Sequence, residues 1–415
     1  MTLTISKHKP FALAAMILLS VCGHAQTMDY EQYKRAVEQH NLSLKAERVA
    51  MENAGHALKS AKTINDPELS ISYGNNQDNT LQMGQSLDVE LSYTISLGNV
   101  RGARIQEARS AQDLAKTDYL AALADLRLEA AQAWSEAWKS KQMLNMRQLA
   151  AESLQRVAAA DSVRQTLGEI GMADALQSKL EARIAQGDFL QAQADYRNAM
   201  QSLMQLCGGE SIESISTAEL PLITIDLTPD SLKQYALRSP AMCQAILNEE
   251  LSQKSLALVR SSRAPELGLN LVYSYNTEVK NELAPAPQFQ GITAGITIPL
   301  KVSSLYRGEL LQARGEVEQQ TYLLEATRQQ VLTDLQIALN AYEAAENTWR
   351  QFSKEIPEIA EVILDSRSRG YQLGESSLTE YLSAINTYVE TVSAYIEACA
   401  NRFLSQETLL HAIGK

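Results

Sequence analysis

The pair Arg101-Gly102 recurs as Arg307-Gly308, Gly168-Glu169 as Gly374-Glu375 and Gly208 as Gly414, all at one offset of 206 residues. Beyond the second pair, Met172, Asp174 and Leu176 answer Leu378, Glu380 and Leu382. Upstream, Pro67-Glu68-Leu69 returns as Pro265-Glu266-Leu267, and Thr94-Ile95-Ser96-Leu97 as Thr297-Ile298-Pro299-Leu300. An internal repeat limits the fold more than any local propensity, because two copies of one plan must bury their apolar faces in the same way.

Each copy reads helix, strand, strand, long helix, turn, helix. Repeat 1 occupies 26–208 and repeat 2 228–415, with a linker at 209–227 that is neither periodic nor helical for most of its length. The first helix of each copy is expected over 28–63 and 229–262, with Thr228 as an N-cap and Pro229 at the favoured first helical position. Strands are expected at 67–75, 87–97, 265–275 and 291–300. Turns near 168–172 and 374–378 end the long helices.

Residues 87–97 alternate without a fault. Leu87, Val89, Leu91, Tyr93, Ile95 and Leu97 share one face; Asp88, Glu90, Ser92, Thr94 and Ser96 share the other. Four strands of this length can each cross a bilayer when tilted, but a lone four-stranded sheet has two open edges, which lipid does not tolerate. A spanning sheet of this kind therefore needs other chains to close it. A soluble sandwich strand with one wet face shows the same alternation. Gly102 and Gly168 lie 66 positions apart, as do Gly308 and Gly374, which as helix is roughly 100 Å. Only 5 Phe and 3 Trp occur, and much of the 45% hydrophobic fraction is Ala, which favours helix and buries little area. Helices packed side by side fit this composition better than a thick globular core.

Residues 1–25 read as an export signal: Lys7, His8 and Lys9, an apolar run from Phe11 to Val21, and Gly23-His24-Ala25 as a cleavage site before Gln26. Lipidation at Cys22 is the rival reading, with Val21 where a small residue is normally wanted. Three cysteines follow, Cys207, Cys243 and Cys399, an odd number read as small buried hydrophobes. No later apolar run is long enough for a transmembrane helix. The formal charge of −12 argues against nucleic acid as a partner. His40, His56 and His411 stand without ligand or nucleophile partners at useful spacing, so no enzyme activity, metal or cofactor is expected.

The duplicated plan, the passage Ile298-Pro299-Leu300 to Arg307-Gly308 and the segment GYQLGESSLTEYLSAINTY at 370–388 together resemble the TolC-type outer-membrane efflux proteins. The segment at 370–388 and the compact length are most similar to the cation-efflux, CzcC-like branch. The resemblance implies a mainly α fold with a small β part, in which a long α-helical coiled-coil barrel joins a transmembrane β-barrel shared among chains, four strands from each. It implies a homotrimer in the outer-membrane lipid with its helical barrel in the periplasm. It also implies docking to a periplasmic adaptor (membrane fusion) protein and an inner-membrane pump of the RND type. The chain would then be a passive exit duct for efflux, with heavy-metal cations as the narrower substrate expectation. A duct for multidrug efflux or type I protein secretion, or a periplasmic coiled-coil structural protein without a pore, are the alternatives.

Under this reading Asp88, Glu90, Ser92 and Thr94 line the barrel lumen, while Tyr73, Tyr93, Tyr273 and Tyr275 suit an interfacial girdle. Gly168 and Gly374 mark the periplasmic tips, and Asp174 and Glu380 place acids in matching positions at the entrance, where crowded carboxylates attract cations. An acid in a first helical turn is equally an ordinary partner of the helix dipole. Tyr371 matches a tyrosine that latches the entrance in relatives. The arginine that accompanies it there is replaced by Ser376, and a second acid by Ser383.

Overall fold

The computed structural model describes residues 27–76, 82–222, 228–300, 305–352 and 355–415. The cleavage site at Ala25 and Gln26, with the rest of the export signal and Cys22, lies outside them. The elements in chain order are α1 (Tyr30–His40), α2 (Leu42–Ala61), β1 (Glu68–Asn75), β2 (Gln85–Ser96), α3 (Val100–Thr166) and α4 (Met172–Leu206). Repeat 2 supplies α5 (Pro229–Ala236), α6 (Pro240–Ser262), β3 (Glu266–Asn276), β4 (Phe289–Thr297), α7 (Leu305–Phe352), α8 (Glu355–Leu373) and α9 (Leu378–Ala412).

No proline stands between Pro67 and Pro221, which leaves nothing to interrupt the 67-residue α3. Three helices end on the same device. Gly168, Gly374 and Gly208 hold φ of 78°, 76° and 69°, and in each case the next residue's N–H donates back across the last turn: Glu169 to Arg164 O, Glu375 to Gly370 O, Gly209 to Met204 O, at 2.8–2.9 Å. This is a Schellman end, which needs a left-handed residue and therefore favours glycine. Gly208 is constrained twice over, since a Cβ there would sit 2.6 Å from the His40 carbonyl oxygen.

The structure corrects the first helix of each copy. Neither is continuous. In repeat 1 the chain leaves helical geometry at Asn41, at φ −58° and ψ 127°, and the Asn41 amide donates to Leu206 O at 3.1 Å. In repeat 2, α5 ends at Ala236 and α6 restarts at Pro240 behind Ser239 as N-cap, because proline can begin a helix but cannot continue one. The expected strand at 291–300 is also shorter: β4 stops at Thr297, ahead of Pro299. The second long helix is described as α7 and α8, with 353–354 outside the described residues and Pro357 in the first turn of α8.

Two compact units result. One comprises the described parts of 1–42, 125–226 and 337–411, the other those of 43–124, 227–336 and 412–415. The first holds two cores. Tyr30, Tyr33, Trp134 and Phe403 form an aromatic group with ring centroids 5.1–5.9 Å apart. A second core gathers Leu154, Val157, Leu364, Tyr371, Tyr381 and Tyr388. The linker is anchored to this unit: Met28 N–H donates to Ser214 O and Ser216 N–H to Met28 O, while the Trp138 indole donates to Ala218 O at 3.0 Å. Cys207, at the end of α4, is buried, and burial pushes its thiol up to about 11, so it behaves as the small hydrophobe expected.

The second unit carries the sheet, antiparallel throughout in the order β1-β2-β3-β4. Its register puts Leu69, Leu91, Leu271 and Ala294 in one row and Ile71, Val89, Tyr273 and Ile292 in the next. Because side chains alternate along a strand, both rows share one face. That face is bare: Ile71 is 65% exposed, Leu91 47%, Leu271 49% and Ile292 74%. On the opposite face the register sets Asp88 between Ser72 and Ser274, Glu90 between Ser70 and Val272, and Ser92 between Glu68 and Asn270. Thr94 pairs with Gly268.

Candidate functional site

Two regions carry the candidate residues. The sheet supplies a polar face that holds Asp88, Glu90, Ser92 and Thr94 as expected, backed by an apolar face without a protein partner among the described residues. A soluble sandwich would bury that apolar face against a second sheet or helices. Contiguous apolar surface left bare across four strands instead marks a surface that meets lipid or another protein. The outer edges of β1 and β4 are likewise unpaired among the described residues.

The other region lies where α3 turns into α4 and α8 into α9. Tyr371, in the last turn of α8, is buried and its hydroxyl donates to Asp161 Oδ1 of α3 at 2.7 Å. Asp161 is fully buried, and its Oδ2 has no partner among the described residues. The Tyr371 ring stacks on Tyr381 of α9, with centroids 5.7 Å apart and planes within 11°; the Tyr381 hydroxyl meets Ser153 Oγ at 2.8 Å. Arg164 closes the arrangement. Its guanidinium lies 5.6 Å from the Tyr371 ring centre and donates to Gln372 O at 3.0 Å, thereby satisfying a carbonyl at the open end of α8. Burial first, then the bond to the Asp161 carboxylate, raise the Tyr371 phenol well above its ordinary range, with Arg164 opposing. The phenol is therefore a neutral donor at any physiological pH.

Sequence reading singled out Tyr371 but neither of its partners, Asp161 and Arg164. Asp161 and Tyr371 are 210 residues apart, and the matched position to Asp161 at the repeat offset is Arg367, of opposite charge. The repeat is broken where the contact is made. An arginine is present after all, supplied as Arg164 from α3, while Ser376 packs against Gly370, where a Cβ would come within 2.5 Å of its Oγ.

Asp174 and Glu380 occupy the same helical position in α4 and α9 but differ in what they bind. Glu380 Oε2 accepts from Ser377 N–H at 3.0 Å while Glu380 N–H donates to Ser377 Oγ at 3.2 Å, a reciprocal capping box. Arg367 stands 3.8 Å from the same oxygen. Helix α4 begins at Gly171 with no side-chain cap, and Asp174 is exposed with no hydrogen bond or ion pair among the described residues. Gly168 and Gly374 have open space where a Cβ would lie, so their role is conformational. Among the described residues no group of three or more His, Cys, Asp or Glu side chains is placed to hold a metal ion, and no helix is long and apolar enough to cross a membrane.

Residues 232–415 match the profile of the family described as Outer membrane efflux protein. Over 424 aligned residues the chain is 19% identical to the outer membrane protein TolC of Salmonella enteritidis, covering 97% of this chain and 86% of that protein. The fold is similar to the CmeC outer membrane channel of Campylobacter jejuni, with a TM-score of 0.78 at 16% identity over 93% of this chain and 85% of the other. It is also similar to the open state of the MtrE outer membrane channel of Neisseria gonorrhoeae, with a TM-score of 0.74 at 16% identity over 93% and 88%.

Proposed function

We propose that this chain, whose residues 232–415 match the outer membrane efflux protein family and which is similar to TolC over nearly its whole length, is the exit duct of a tripartite efflux system, closed by three copies of itself. The observation that carries this reading is the four-stranded sheet with one bare apolar face and two edges unpaired among the described residues. Lipid on the apolar face and a neighbouring chain at each edge satisfy both surfaces at once. Asp88 and Glu90 then face the water-filled lumen. The protein sits in the outer membrane, and its helices extend into the periplasm, where a periplasmic adaptor and an inner-membrane pump deliver substrate. The duct itself does no chemistry.

Three copies would bring Asp174 and Glu380 around the entrance. Glu380 is committed to its helix cap and to Arg367, so Asp174 is the carboxylate left to act on passing ions. Asp174→Asn is expected to weaken block by divalent cations several-fold in single-channel recordings, and Glu380→Gln to change it less. Unchanged block in the Asp174 variant would remove it from the entrance. The segment at 370–388, which suggested a heavy-metal substrate, contributes Tyr371, Tyr381, Leu382 and Tyr388 to the core beside the tip. Those residues explain its pattern as architecture, and substrate choice falls to the pump. Assembly is tested directly by native mass spectrometry: the protein should need detergent for extraction and appear at three chain masses. A monomer released by a salt wash would favour the structural coiled-coil reading.

A further inference from the structure

The linker and helices α3, α7, α8 and α9 surround a cavity of about 500 Å³, within the size range of pockets that take drug-sized molecules. All of its lining residues belong to the first compact unit. Its walls are aromatic, with Trp138, Trp349, Tyr388 and Tyr395 contributing rings. Among the described residues, the charged groups on the lining are three carboxylates, Glu219, Glu358 and Glu361, and one cation, Arg402.

The cation is already engaged. Arg402 reaches Glu346 through Nε at 2.5 Å and Nη2 at 3.2 Å, and its guanidinium lies 3.7 Å from the centre of the Trp349 ring. Glu358 and Glu361, one turn apart on α8, are exposed and make no hydrogen bond or ion pair among the described residues. Glu361 is near enough to Tyr388 to help burial raise its phenol. Aromatic faces attract cations that are poorly hydrated, and carboxylates at the rim supply the countercharge. Among the described residues, a carboxylate or phosphate ligand would meet two unpaired negative charges with no free cation opposite them.

We propose that this cavity binds a lipophilic organic cation of the quaternary ammonium or phosphonium type. Its apolar groups lie against the tryptophan and tyrosine rings, and its charge lies beside Glu358 and Glu361. The proposal rests on the cavity alone and would stand if the duct reading failed.

The chain's three tryptophans are Trp134, Trp138 and Trp349, and the last two line the cavity, so intrinsic fluorescence reports occupancy. Full-length detergent-extracted protein is titrated with tetraphenylphosphonium and with tetraphenylborate, which share a shape and differ in charge. Saturable quenching by the phosphonium is expected at a concentration about ten-fold below any effect of the borate. The double variant Glu358→Gln and Glu361→Gln changes only exposed positions on α8, shares the same micelle, and should weaken phosphonium binding about ten-fold with an unchanged circular dichroism spectrum. Equal response to the two ions, or full binding in the glutamine variant, would reduce the effect to partition into apolar surface and overturn the proposal. Absence of saturable quenching would overturn it as well.

Discussion

Tyr371→Phe should destabilise the packing of α3 against α8 by about 3 kcal/mol and, on the duct reading, raise single-channel conductance, because it removes the one hydrogen bond that a buried carboxylate makes among the described residues. Asp161 is fully buried and bonds only the Tyr371 hydroxyl, with Oδ2 unpartnered among the described residues. Removing the donor to a buried carboxylate costs more than the bond itself contributes, since the carboxylate keeps its desolvation penalty. The cost can be relieved by separation of α3 from α8, which on the duct reading would open the entrance. The double variant Tyr371→Phe with Asp161→Leu separates the loss of stability from the loss of closure. Replacing both members by apolar groups of similar size is expected to recover most of the stability, while conductance stays high if the pair holds the tip shut. Thermal unfolding and bilayer recording on the same preparations provide both readings. A loss of less than about 0.5 kcal/mol from the single variant would show that the buried bond carries little energy.

The second large effect is expected on the sheet. Leu91 and Ser92 are adjacent and point to opposite faces, Leu91 in the bare apolar row and Ser92 opposite Glu68 and Asn270. Leu91→Arg should abolish assembly in the outer membrane, at a cost of about 2–4 kcal/mol per chain when the position lies near the bilayer midplane. Ser92→Arg should be tolerated, with its guanidinium in water beside Glu68 and Glu90. The comparison holds size and charge constant and changes only the face. Membrane fractionation with heat-modifiable mobility on gels reads the result. Equal assembly of the two variants would mean that the apolar face does not meet lipid.

How legible this fold was depended on whether a feature is local or depends on the rest of the chain. The strands were readable because alternation is written residue by residue, and the turns that end the long helices because a Schellman end requires glycine, visible as Gly168 and Gly374. The break at Asn41 was not readable. It has no proline or glycine to announce it, and what sustains it is a bond to Leu206 at the far end of the repeat. The break before Pro240 did carry a local signal, in Ser239-Pro240 as cap and first turn. At the turns after α3 and α8, duplication both helped and misled. It located Asp174 and Glu380 as equivalent, yet only Glu380 has a serine three residues before it to complete a capping box. It could not show Asp161 against Tyr371, because the repeat offset matches Asp161 to an arginine and the contact joins one copy to the other.

The most direct measurement is the conductance of the detergent-extracted protein in a planar bilayer. The duct reading predicts discrete, long-lived current steps of uniform size, present for wild type and Ser92→Arg and absent for Leu91→Arg. A preparation that gives no steps, although folded and pure, would contradict it and leave the bare face of the sheet to be covered by protein.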